Sequence, residues 1–328
     1  MELKKTDLSI LSSLIENSRK SNRDIAKEVK LSKETVAIRI NHLIENEYIK
    51  SYSLKIDYQT LGFNEFNLFI KFKKITNEIV TDLIVFLEKN PNVTWIGKCF
   101  GKYDLKIALI FKNMIEINSL INLISAKFGK NIEVIDSIYI LDKYKARVDN
   151  FFNTLNETKN KLSIKTKLHE NKSKTIFFID KLDKQIIYEL GQNPKKSYVE
   201  LSSKINLTAE GIKLRVKKLE KNNIILGNSI VLNGNKFNKI WCLILLNINA
   251  EKNDSFKKYL QNQIFLSSYS ESLGYWNFNV TFFASNIEEL YFQLNEIRNI
   301  FAEYIRNFDF LIFFDIYKFP KIPKCVLE

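Results

Sequence analysis

Cysteine is scarce, histidine scarcer still, and no apolar stretch is long. Three cysteines, Cys99, Cys242 and Cys325, lie far apart in 328 residues and form no C-x-x-C pair. Free thiols in a reducing compartment are therefore expected, not a disulfide framework. His42 and His169 are the only histidines, so a zinc centre of cysteine and histidine has almost no ligands to draw on. No metal and no cofactor are expected. The longest apolar run, 240–246, is far too short to cross a bilayer. No apolar stretch follows the basic residues near Met1, so no secretory signal and no membrane partner are expected, and the protein is expected in the cytoplasm. The patterns G-x-x-x-x-G-K-S/T, G-x-G-x-x-G and G-x-S-x-G are missing as well, which removes common nucleotide-binding and hydrolase signatures.

What is present is basic charge and a repeat. A net charge of +13 and a pI near 9.3 suit a polyanionic partner. Lysine far outnumbers arginine, however, and Ile and Asn are abundant, a bias that an AT-rich genome leaves without selection for nucleic acid. The repeat says more. A shift of 176 residues lays Asp7, Ile10, Leu14, Asn17 and Ser21 onto Asp183, Ile186, Leu190, Asn193 and Ser197. It continues without a gap, from Leu31, Arg39, Leu43, Asn46 and Ile49 to Leu207, Arg215, Leu219, Asn222 and Ile225. Such self-similarity marks a duplicated structural unit, and the length calls for two to four domains.

The first unit reads as a helix-turn-helix. Leu8, Leu11, Leu14 and Ile15 have helical spacing, Ser21 caps a short helix over 22–29, and Leu31 plugs the turn. Ser32 caps a third helix, with Val36, Ile40 and Leu43 on its buried stripe. In this motif that helix lies in the major groove. Its opposite face carries Glu34, Ile38 and His42 beside Thr35 and Asn41, with Ser32 and Lys33 at its start. The duplicate presents Thr208, Glu210, Gly211, Leu214, Lys217 and Lys218. These residues are the candidate DNA contacts, each with a second reading. Arg39 and Arg215, at the stripe's margin, either touch phosphate or pair with a carboxylate and brace the domain. Ile38 and Leu214 either meet thymine methyl groups or pack on another part of the chain. Gly211 either lets DNA approach closely or marks decay of the second reader.

Behind each reader, strands and helices follow in the order βαββαβ, predicting a ferredoxin-like sandwich. The first has strands near 66–72, 92–100, 104–111 and 133–142, with helices over 76–90 and around 117–128. The second has strands over 240–248, 266–273, 276–284 and 308–317, with helices over 254–263 and 287–305. Here the register is 173 residues, aligning Gly101 with Gly274. The expected fold class is α+β, with domains at 1–57, 62–148, 179–233 and 236–320 and a lysine-rich linker at 149–178. A sheet with one bare face needs a cover, so the two sandwiches are expected to pack together as an internal pseudo-dimer.

These residues resemble the Lrp/AsnC family of transcription regulators in tandem duplicated form. The signature is carried by Asp7, Ile10-Leu11, Ile25-Ala26, Leu31-Ser32, Val36-Ala37-Ile38-Arg39-Ile40, Leu43-Ile44-Glu45-Asn46 and Ile49. Gly101-Lys102-Tyr103-Asp104 matches the G-x-x-D turn of the family's amino-acid-sensing (RAM) domain. The resemblance implies a sequence-specific regulator of double-stranded DNA, a homo-oligomer, and an amino acid or related effector. Candidate effector contacts are Gly101, Tyr103 and Asp104, with Gly274, Trp276 and Asn277 in the duplicate. Asp104 either meets an ammonium group or fixes the turn, and its replacement by Asn277 weakens the case for amine binding at the second site. No enzymatic activity is expected. Siroheme decarboxylases share this domain pair but use a histidine and an arginine in an H-C-Y-x-R run. Here that place reads Trp95-Ile96-Gly97-Lys98-Cys99-Phe100, and Ser270-Glu271-Ser272-Leu273 in the duplicate. A broad DNA-packaging protein is the third reading.

Overall fold

The computed structural model describes residues 3–145, 176–263, 265–318 and 322–327; most of the expected linker lies outside them. The chain forms two compact units, and each draws on both halves of the duplication. One unit holds both helix-turn-helix segments and residues 322–327; the other holds both sandwiches.

In the first unit, α1 (Lys5–Glu16), α2 (Asn22–Val29) and α3 (Lys33–Glu45) recur as α6 (Lys181–Gln192), α7 (Tyr198–Ser202) and α8 (Ala209–Lys221). Caps fix where these helices begin. Ser21, Ser32, Ser197 and Thr208 each accept from a backbone N–H three residues on. Ile10, Leu11, Leu14, Ile25, Val36, Ile40 and Leu43 are buried, as are their counterparts Ile186, Ile187, Leu190, Leu201, Ile212, Val216 and Leu219. The strand after each reading helix, β1 (Ile49–Ile56) and β6 (Ile225–Leu232), does not fold back on its own domain. The two pair antiparallel with each other. Each strand thereby pairs one edge of its backbone with the other half of the duplication.

The second unit contains β2 (Asn64–Phe72), α4 (Asn77–Lys89), β3 (Val93–Gly101), β4 (Leu105–Phe111), α5 (Met114–Phe128) and β5 (Ile132–Lys145). Its duplicate contains β7 (Ile240–Ile248), α9 (Asn253–Gln261), β8 (Leu266–Leu273), β9 (Phe278–Ala284), α10 (Ile287–Ile300) and β10 (Ile305–Lys318). Each sheet has ferredoxin-like order, β3-β4-β2-β5 and β8-β9-β7-β10. Their edges are sealed as well as their faces covered: β5 pairs with β8 and β10 with β3, closing an eight-stranded barrel. No sheet edge of this ring is left open. Leu68, Ile70, Leu83, Ile107 and Leu120 fill the layer under α4 and α5; Ile244, Phe256, Phe278, Leu290 and Ile297 do so under α9 and α10. Phe69, Tyr103, Ile138, Leu243, Trp276 and Leu311 pack between the two sheets.

Several boundaries differ from the sequence reading: the last strand of each sandwich is longer than expected, running Ile132–Lys145 and Ile305–Lys318, and two further ends have a visible cause. The strand expected from Trp276 begins at Phe278, because Trp276 and Asn277 belong to the turn. The helix expected to reach 305 ends at Ile300. Phe301 continues its buried stripe and so disguises the stop, but the Tyr304 and Ile305 N–H groups both donate to the Phe301 carbonyl and close a turn.

Candidate nucleic-acid interface

Each reading helix buries one stripe and turns the other outward. Ile38 is 69% exposed and Leu214 59%, so neither packs on the described part of the chain. Ser32, Lys33 and Glu34 are exposed, with Thr35 and His42 half-buried. Thr208, Glu210, Lys217 and Lys218 are exposed on α8. Gly211 donates its N–H to Thr208 Oγ1 at 3.1 Å, and a Cβ there would lie 3.2 Å from that same oxygen. The glycine thus sits tightly beneath its own cap.

The arginines adopt the bracing geometry. Arg39 Nη1 lies 2.8 Å from Oδ1 of buried Asp7, whose Oδ2 accepts from the Lys4 N–H. One carboxylate therefore starts α1 and ties it to α3. Arg215 repeats this with Asp183 at 2.8 Å and adds Asp180 at 2.7 Å. Asp180 and Asp183 also cap each other's backbone N–H groups. The Asp183 backbone N–H and then Arg215 hold the Asp180 carboxyl below its ordinary range. Reasoning from the sequence aligned Asp7 with Asp183 but missed their role. The signal was present, since each aspartate precedes its arginine by the same interval.

The two readers differ in charge. Helix α3 carries two basic and two acidic side chains, whereas α8 carries five basic and two acidic. Within their unit they are clasped together beyond the β1–β6 pairing. Arg19 donates to the Pro194 carbonyl at 2.6 Å and lies over the Tyr198 ring. Ser229 Oγ donates to the Ile15 carbonyl at 2.8 Å, and the Ser18 N–H to that of Asn228 at 3.1 Å.

In the other unit, both signature turns are tied to a neighbouring strand. Asp104 Oδ2 accepts from the Phe72 N–H at 2.8 Å, and Oδ1 lies 3.1 Å from Lys71 Nζ. Asn277 does the same work by accepting from the Ile248 N–H at 2.9 Å and donating to its carbonyl at 2.7 Å. This is the turn-fixing alternative. Gly101 has φ +130, and a Cβ would lie 2.2 Å from the Phe310 carbonyl oxygen; Gly274 has φ +140, with Ile138 at 2.9 Å. Tyr103 and Trp276, equivalent residues of the two sandwiches, are each 1% exposed. Trp276 Nε1 donates to the Tyr103 hydroxyl at 3.1 Å, and that hydroxyl donates to Asp136. Of the candidate effector residues only Tyr103 and Trp276 are core; Gly101, Asp104 and Asn277 are half-buried and Gly274 is exposed.

Residues 3–50 and 179–225 match the winged helix-turn-helix DNA-binding family. An uncharacterized HTH-type transcriptional regulator from Pyrococcus horikoshii is 28% identical over 138 residues, covering 42% of this chain and 86% of that regulator. That proportion is the one a tandem of two such units produces. An AsnC family transcriptional regulator from Agrobacterium tumefaciens has a solved structure that is 19% identical, with a TM-score of 0.39; the match covers 44% of this chain and 95% of that one. The siroheme decarboxylase NirDL is 12% identical with a TM-score of 0.63, over 97% of this chain and 94% of its own. At that identity the likeness is one of fold.

Proposed function

We propose, from the premise that this chain belongs to the Lrp/AsnC family of transcription regulators in tandem duplicated form, that one polypeptide reads two unlike half-sites on duplex DNA. The observation that carries this reading is the pair of outward-facing helices, α3 and α8, held within one compact unit. On α3, Ile38 reaches for thymine methyl groups, with Lys33, Glu34 and His42 around it. On α8, Leu214 occupies the same position, while Lys217 and Lys218 add phosphate contacts. Arg39 and Arg215 we assign to bracing. An imperfect palindrome follows, its half-sites one helical turn or a multiple apart.

Selection of bound duplexes from a random pool by the full-length protein tests this. An enriched motif with two dissimilar halves supports it; recovery of the pool without enrichment contradicts it. The same experiment with pooled amino acids tests an effector response. The fold likeness to a siroheme decarboxylase gives a second reading. Against it, the second unit carries no histidine in its described residues, so the proton-transfer group of that enzyme has no counterpart there. A Soret shift on mixing with siroheme would favour the enzyme; an unchanged spectrum favours the regulator.

A further inference from the structure

Helix α6 carries Gly191 in its last turn, where the 176-residue register places buried Ile15 on α1. A glycine weakens a helix, so its presence there calls for a close neighbour. That neighbour is Ile322. A Cβ on Gly191 would lie 2.2 Å from Ile322 Cγ1 and 3.1 Å from its Cβ. Ile322 is itself buried. It thus fills, from a remote part of the sequence, space that the first reader fills from its own helix.

The residues after Ile322 stay in the same compact unit. Pro323 and Val326 are buried, Cys325 and Leu327 half-buried, and Lys324 exposed. The Val326 N–H donates to the Pro323 carbonyl at 3.1 Å and the Leu327 N–H to that of Lys324 at 2.9 Å, closing a short turn. Leu327 lines a cavity of about 380 Å³ with Lys184, Tyr188, Lys204 and Ile205. The segment therefore runs along α6, from Gly191 back toward Lys184. In the same register Lys184 and Tyr188 replace Leu8 and Ser12, so this whole face of α6 has diverged from α1.

We propose that residues 322–327 are a detachable strap that completes the second reader, and that its release silences that reader while leaving the first intact. The silencing rests on the reading of α8 as a DNA-contacting helix. A side chain carried by the helix itself, as Ile15 is, cannot leave; one carried by a separate segment can. Letting go exposes only Ile322, Pro323 and Val326, a local opening that costs less than global unfolding. It leaves a hole beside Leu190, which belongs to the buried stripe of α6, and three residues before Pro194, whose carbonyl accepts from Arg19. The hole opens in the second reader and has no equivalent at Ile15.

Hydrogen exchange and thiol reactivity of the full-length protein test the strap without DNA. Ile322→Asp should speed amide exchange in α6 by roughly tenfold or more and leave α1 unchanged. The Cys325 thiol should react faster with a soluble aromatic disulfide, against a slow background from buried Cys99 and Cys242. Adding Gly191→Ile to Ile322→Asp installs the first reader's own residue, so α6 should regain slow exchange while Cys325 stays reactive. Unchanged α6 exchange in Ile322→Asp, or no recovery in the double variant, overturns the strap. Footprinting on the selected duplex tests the silencing: Ile322→Asp should lose the patch protected by α8 and keep that of α3, and the double variant should regain both. Altered exchange with both patches retained overturns the silencing. Failure to select any duplex overturns the DNA reading and the silencing with it, while exchange still decides the strap.

Discussion

Asp7 shows how one side chain can define a domain. Its two oxygens serve different elements, the Lys4 N–H at the start of α1 and the Arg39 guanidinium on α3. Removing the arginine leaves a buried carboxylate short of a partner, so Arg39→Ala and Arg215→Ala should each cost about 2 kcal/mol of stability. The logarithmic salt slope of DNA binding should stay unchanged, as salt titrations of both variants can check. Lys106 makes a separate point. Its ammonium lies 5.2 Å over the Trp95 ring, and burial, followed by the charge of Lys143, lowers its pKa from 10.5 to about 8. The folded state gives up this proton before the unfolded state does, so its contribution to stability rises with pH from about 8 to 10.5. Lys106→Met should therefore be more stable than wild type at neutral pH, and the gap should close across that window. The comparison must be between the two proteins, because Cys99, pushed up to about 12 by burial, acts in the opposite sense above its ordinary 9.0. A gap that stays constant with pH would refute this account of Lys106.

At the scale of elements, α3 and α8 share a scaffold and differ in chemistry. Ile38→Asp and Leu214→Asp put charge on exposed positions, so melting temperature should barely change while affinity for the selected duplex falls roughly tenfold or more. Replacing Lys217 or Lys218 with Gln should instead weaken binding to all sequences and reduce the salt slope by about one unit each. The turns are as exacting as the helices. Gly101→Ala forces a side chain into a left-handed φ and against the Phe310 backbone, and should destabilise by more than about 1 kcal/mol in denaturant melts. The sequence pattern made most of these elements legible. Periodicity gave the buried stripes of Val36, Ile40 and Leu43, and alternation gave Phe66 to Phe72. It could not reveal that β1 pairs with β6 or that β5 seals to β8, because a strand's own pattern does not name its neighbour. Nor could it show that Tyr103 and Trp276 meet in the core, since aromatic residues beside a signature turn read equally well as ligand contacts.

For the whole molecule, duplication matters because it joins like to like. Each compact unit takes one contribution from either half of the chain, and strand pairing completes both, once between β1 and β6 and twice around the barrel. A single chain thus holds two readers that have since diverged, one neutral helix and one basic. Hydroxyl-radical footprinting of the purified protein on its selected duplex tests this most directly. Two protected patches of unequal strength, on one face and about one helical turn or a multiple apart, are predicted, with Ile38→Asp erasing one and Leu214→Asp the other. A single patch, or protection that follows neither substitution, would contradict the claim that both helices read DNA.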